Sequence, residues 1–218
     1  MPWLKAELEL HAACGFPSWN PHEDPFQEDD FTANFIVRAI KRDETRLKGR
    51  WMRLRGKRIT VDNYLDVHKA WFAWAAKQIS KHALDPVLIA IPNSGATPEK
   101  ANFATRDLAI GISEAGGKGW PIYDGLRFAE TLQPSSKGGR RDKEYLLRKM
   151  LTISDLPAGA PVLIDDVCTG GGHLFAAQRR LALPDGTHCI VCGRTVHERL
   201  PKMVGNIHET ISASWWMS

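Results

Sequence analysis

The residues whose types and spacing could do chemistry lie in Asp165-Asp166-Val167-Cys168-Thr169-Gly170-Gly171-Gly172-His173. The apolar run Val162-Leu163-Ile164 precedes them and a helical pattern over 174–181 follows, so the stretch reads as strand end, loop and helix start. Two adjacent carboxylates at a strand end are costly unless a partner such as sugar hydroxyls or a divalent cation neutralises them. The three glycines let the backbone approach a ligand and aim successive N–H groups at a phosphate. The next helix adds its positive end to the same point. The order is neither a GxxxxGKS/T loop nor the GxGxxG of dinucleotide folds.

The elements that must position this loop follow from periodicity. Val87–Ile91 is a continuous apolar run bounded by prolines, as for a strand covered on both faces. Pro121-Ile122-Tyr123, Val162–Val167 and His188–Val196 read as further strands. Thr97 and Pro98 are suited to open a helix running to about Ala115. Alternating strands and helices imply an α/β fold with a doubly wound, mainly parallel sheet. Upstream, residues 1–32 show no clear period and are expected to be irregular. Phe35–Ile40 and Trp51–Arg55 read as a hairpin turning near Lys48-Gly49, and Asp62 could cap a helix to about Lys81. The expected division is an N-terminal hairpin-plus-helix hood over residues 1–80 and an α/β core over 81–218.

Composition narrows the classes. With 43% hydrophobic residues in 218, the chain can bury a sizeable core, and no apolar run approaches a membrane span. The opening residues lack the order of a signal peptide, so a cytoplasmic protein is expected. Cys189-Ile190-Val191-Cys192 has CxxC spacing, but in a strand those side chains point to opposite faces and cannot close on one metal. His68 falls on the apolar stripe of the 62–81 helix, where a satisfied core histidine is expected. Net charge is +4, with cations crowded over 38–58 and again over 137–149, which attracts polyanions.

The Asp165–His173 stretch resembles the signature of type I phosphoribosyltransferases: apolar residues, two acids, then a Thr- and Gly-rich phosphate loop. The resemblance implies a phosphoribosyltransferase core that binds phosphoribosyl pyrophosphate (PRPP) with Mg²⁺ and passes the phosphoribosyl group to a nitrogen-containing acceptor. It implies that Asp165 and Asp166 hold the ribose hydroxyls, directly or through hydrated Mg²⁺. Thr169 and the backbone of Gly170, Gly171, Gly172 and His173 would hold the 5′-phosphate. Gly170 and His173 stand where the family usually has hydroxyl residues, and His173 could donate to the phosphate or cap the helix. Asn93, Ser94 and Gly95 occupy the place of the family's pyrophosphate loop.

The stretch from Leu126 to Asp142 looks like the mobile basic loop of the ComF-like and amidophosphoribosyltransferase-like branch. It is polar, Gly- and Ser-rich and cationic, as a closing lid over a pyrophosphate must be. Arg127, Lys137, Arg140 and Arg141 are its candidates for pyrophosphate. Cys192-Gly193-Arg194-Thr195-Val196 resembles the end of that branch's following strand, so the likeness runs over about 85–197. The acceptor would be seen by residues 30–80 or by the tail at Trp215 and Trp216. A homodimer is among the assemblies expected. Two other readings stay open: a non-catalytic PRPP or nucleotide sensor that binds protein, or nucleic acid through 38–58, and a nucleotide or sugar-phosphate hydrolase.

Overall fold

The computed structural model describes residues 6–100, 102–133 and 142–213. The chain opens with a strand, β1 (Glu7–Pro17), because Glu7-Leu8-Glu9-Leu10 alternates strictly: Leu8, Leu10 and Ala12 are fully buried on one face. Residues 1–32 are therefore not uniformly irregular. β1 lies inside the main sheet, so the first 80 residues build the sheet as well as cover it.

A helix, α1 (Glu28–Ile40), comes next, where Phe35–Ile40 was expected to be a strand. Its seven buried positions include Asp30, Ala33, Asn34, Val37 and Ile40, which recur at the helical spacing of three and four. Gln27 N–H donates to the Asp30 carboxylate at 2.7 Å, and Glu28, Asp29 and Asp30 put negative charge at the helix start. A short turn of helix, α2 (Glu44–Leu47), leads to the hairpin of β2 (Met52–Leu54) and β3 (Lys57–Ile59), so the hairpin is one strand later than expected. Helix α3 (Leu65–His82) buries Trp71, Ala75 and Ile79, together with His68, whose Nε2 pairs with the Ala39 carbonyl at 2.9 Å.

The remaining elements are β4 (Pro86–Ala90), α4 (Ala104–Gly116), β5 (Ile122–Tyr123), β6 (Leu126–Phe128), α5 (Lys143–Lys149), β7 (Met150–Thr152), β8 (Ala160–Cys168), α6 (Gly172–Arg180), β9 (Thr187–Val196) and β10 (Val204–Ser212). Helix α4 starts seven residues after Thr97, at a turn of chain anchored by buried Phe103. Strand β10 closes one edge of the sheet with alternating exposure.

The main sheet has the order β10-β1-β9-β8-β4-β5. All neighbours run parallel except β10, which is antiparallel to β1. Helices cover both faces. Leu88, Ala90, Val162, Ile164 and Ile190 pack with α1, α3 and α4, whereas Val87, Ile89, Leu163, Cys189 and Val191 pack with α5, α6 and the β6–β7 hairpin. Cys189 and Cys192 accordingly sit in opposite layers. Each buried Leu, Ile or Val contributes about 1.5–3 kcal/mol by leaving water. No helix among the described residues is long and apolar enough to cross a membrane.

Candidate active site

The sheet itself decides where a ligand can sit. From β4 the chain crosses to β5 on one side, and from β8 it crosses to β9 on the other, so β4 and β8 are the pair at which the winding reverses. Loops leaving the carboxyl ends of such a pair diverge to opposite faces and leave a crevice. Strand β8 pairs with β4 only as far as Ile164, but with β9 as far as Cys168. Asp165 and Asp166 thus stand on a strand supported on one side and open on the other.

That opening is a cavity of about 430 Å³, a size suited to a small ligand. Its wall takes in the whole of Asp165–Leu174, Asn93 and Ser94 after β4, and Arg38, Lys41 and Arg46 from α1 and the chain just after it. The sequence therefore grouped Asp165, Asp166, Thr169, Gly170, Gly171, Gly172 and His173 as the structure does. Asn93 and Ser94 lie beside them in the wall. Gly95 is not in the wall, and its N–H donates to the Asn93 side chain at 3.0 Å, while Ala96 N–H goes to the Asn93 carbonyl. The 93–96 turn spends those two donors on itself.

The acid pair is strained electrostatically. Burial first, and the charge of Asp166 second, push the Asp165 carboxyl well above the usual carboxylate range. An N–H bond from Asp166 to Asp165 Oδ1 at 2.8 Å offsets part of this. Asp166 is itself held by Lys41, Nζ to Oδ2 at 2.6 Å. The fit to Mg²⁺ can be judged from these donors: two hard carboxylates, one destabilised as an anion, form the oxygen set that a small divalent cation prefers. Asp165 and Asp166 are the residues that would hold it.

The glycine loop is braced from beneath. Buried Arg194 of β9 donates to the carbonyl of Thr169 and pairs with Glu209 of β10. The Thr169 hydroxyl lies 3.0 Å from that of Thr195; in either direction of that bond it keeps a lone pair, and when Thr195 donates it also keeps its proton for a ligand. Gly171 has φ +74°, and a Cβ there would meet the Phe175 ring at 3.1 Å and Ile211 at 3.2 Å. Only glycine fits that turn without strain. His173, the second residue of α6, lies edge-on to Phe128 at 5.8 Å.

Arg127 does not reach the cavity wall. It is 3% exposed, its guanidinium donates to the Leu126 carbonyl at 2.7 Å and lies 4.8 Å from the Phe103 ring. Lys137, Arg140 and Arg141, and the tail with Trp215 and Trp216, lie outside the described residues. The approach to that stretch is fixed at the cavity, because Leu132 N–H donates to the Ser94 carbonyl at 2.8 Å.

The cations that do line the cavity were not singled out from sequence as site residues. Their signal was the basic run over 38–58, which the structure divides. Arg38, Lys41 and Arg46 face the cavity, Arg38 and Arg46 sharing the Asp43 carboxylate at 3.3 and 3.6 Å, whereas Lys57 pairs with Asp66 at 2.5 Å and Arg42 with Asp107 at 3.4 Å. Gly193 makes this possible: a Cβ there would be 2.6 Å from Val37, so its absence lets α1 lie close against β9. Arg38 is largely buried, its Nε has no hydrogen-bond partner, and its guanidinium stands 5.2 Å from the Phe16 ring.

No family model matches the chain, and no curated protein matches it significantly.

Proposed function

We propose that this chain is a phosphoribosyltransferase with a core of the type I kind, which binds PRPP with Mg²⁺ and transfers the phosphoribosyl group to a nitrogen nucleophile. The observation that carries the reading is the joint placement of the acid pair, the glycine loop and three cations around one cavity at the winding reversal. A bound PRPP needs all three. The 5′-phosphate would lie on the N–H groups of Gly170–His173 at the start of α6, where an anion is favoured. The ribose hydroxyls would lie on Asp165 and Asp166. The pyrophosphate would face Arg38, Lys41 and Arg46, a cationic wall supplied by the N-terminal helices in addition to the expected basic loop.

In the transfer, the acceptor nitrogen forms a bond to the anomeric carbon as the bond to the pyrophosphate oxygen breaks. Pyrophosphate leaves with the electron pair, and the nitrogen's surplus proton passes to solvent. Asp165 and Asp166 would hold Mg²⁺, which would supply positive charge to offset that of the pyrophosphate. The side chains here would act by positioning the sugar and by stabilising the departing anion.

The test is purified protein with PRPP, Mg²⁺ and a panel of bases and amines, read by pyrophosphate release. Release that depends on one acceptor, and that is lost in Asp166→Asn, is the expected result. PRPP binding without release with any acceptor would favour the sensor reading, and free phosphate release would favour hydrolysis. Failure to bind PRPP at all would overturn the proposal.

A further inference from the structure

At the other end of the parallel strands, four histidines from four elements come together. His11 is in β1, His188 in β9, His208 in β10, and His82 is the last residue of α3. His188 pairs in register with Val162, upstream of the acid pair on β8, so the cluster is separate from the cavity. His11 is central. Its ring lies 4.6 Å from that of His82, 5.3 Å from that of His188, and is stacked on His208 at 4.4 Å.

One nitrogen from each of His11, His82 and His188 lies within 4.8 Å of the other two. His11 Nε2 and His188 Nδ1 are 3.1 Å apart and share a hydrogen bond, whose proton an ion bound between them would displace. Tetrahedral Zn²⁺ with Zn–N bonds of about 2.0–2.1 Å needs ligand nitrogens roughly 3.4 Å apart. The pair on the strands therefore meets that spacing, and His82, exposed at a helix end, is the ligand free to move in.

His11 is 1% exposed, so packing fixes its ring, and it is Nε2 rather than the unpartnered Nδ1 that faces His188. Glu9 accepts from His208 at 2.8 Å and from Thr210 at 2.8 Å, which orients the His208 ring that is stacked on His11.

We infer that His11, His82 and His188 form a binding site for a divalent transition-metal ion, with Zn²⁺ the best match, braced by His208 and Glu9. Three imidazoles and no thiolate suit Zn²⁺, Co²⁺, Ni²⁺ or Cu²⁺ rather than Mg²⁺. The ion would join the end of α3 to β1 and β9 and leave one coordination position for water.

Untagged full-length protein, stripped with a chelator, is titrated with Co²⁺ followed by visible absorption, and with Zn²⁺ by calorimetry. One equivalent bound in the micromolar range or tighter is expected, with Zn²⁺ displacing Co²⁺ and raising Tm. His82→Ala, at an exposed position, should keep the fold and weaken binding by about tenfold or more. His22→Ala and Asp165→Asn should leave it unchanged, which separates this site from the proposed PRPP cavity. Absence of saturable binding, or equal binding by His82→Ala, would overturn the inference.

Discussion

Lys41, at the C-terminal end of α1, holds Asp166, near the end of β8, at 2.6 Å across a gap of 125 residues in sequence. The pair brings together the element that carries cations and the strand that carries acids. Both groups are partly exposed, so the ion pair itself is worth little to stability, in the usual range of about 0–1 kcal/mol. Its consequence is for ligand binding: it sets a cation beside the carboxylates that would receive ribose.

Removing that cation should act selectively. Lys41→Ala, and Arg46→Ala likewise, should weaken PRPP and inorganic pyrophosphate by about tenfold while changing ribose 5-phosphate affinity by less than about threefold, the difference being the charge facing the pyrophosphate. Calorimetric titration with the three ligands checks this. Losses for PRPP and ribose 5-phosphate with pyrophosphate binding unchanged would assign Lys41 to the sugar instead.

Asp165→Asn should separate stability from binding. The Asp165 carboxyl has a raised pKa in the fold, so the folded state holds its proton to higher pH than the unfolded chain does. Ionisation therefore costs stability, and the cost grows as pH rises from the unfolded value towards the folded one. Above that window the Asn variant, which has no charge to bury, should melt higher than wild type by roughly 2–4 °C, corresponding to about 1 kcal/mol. At low pH, where the carboxyl is protonated in both states, the two Tm values should converge. PRPP binding should be lost throughout.

The phosphate loop should reject a side chain. Gly171→Ala places a Cβ against Phe175 and Ile211 at a left-handed backbone position. A cost of about 1–3 kcal/mol is expected, with ribose 5-phosphate binding reduced because the N–H groups that follow are turned away. Chemical denaturation and titration on the same sample measure both. A variant that lost stability but bound ribose 5-phosphate normally would show that the loop does not hold the phosphate.

Gly193→Ala tests the seating of α1. The added methyl would overlap Val37 and push the helix from β9, moving Arg38 and Lys41 with it. The expected outcome is a loss of about 1–3 kcal/mol and weaker pyrophosphate binding, although residue 193 is not in the cavity wall. Val37→Ala in the same chain should restore part of both. No recovery in the double variant would show that the two residues do not set the position of α1.

Much of the parallel sheet and the acid–glycine loop were legible in the sequence alone, because each is a local pattern. Val87–Ile91 and Val162–Val167 are apolar runs whose burial on both faces shows in composition, and the order of acids and glycines along the chain is the order along the loop. Strand β1 was legible in principle from its Leu8–Leu10 alternation, but so short a pattern competes with the irregular residues that follow. Phe35–Ile40 misled for a related reason: an apolar run too short to display its period takes its state from neighbours, here the acidic cap at Gln27–Asp30 and the surface of β9. Only the tertiary structure decided which cations meet the acids, since the sites of Lys41 and Arg38 depend on α1 packing over Gly193. Only it brought His11, His82, His188 and His208 together, because contacts between distant elements follow from strand order and packing, neither of which is written in local spacing.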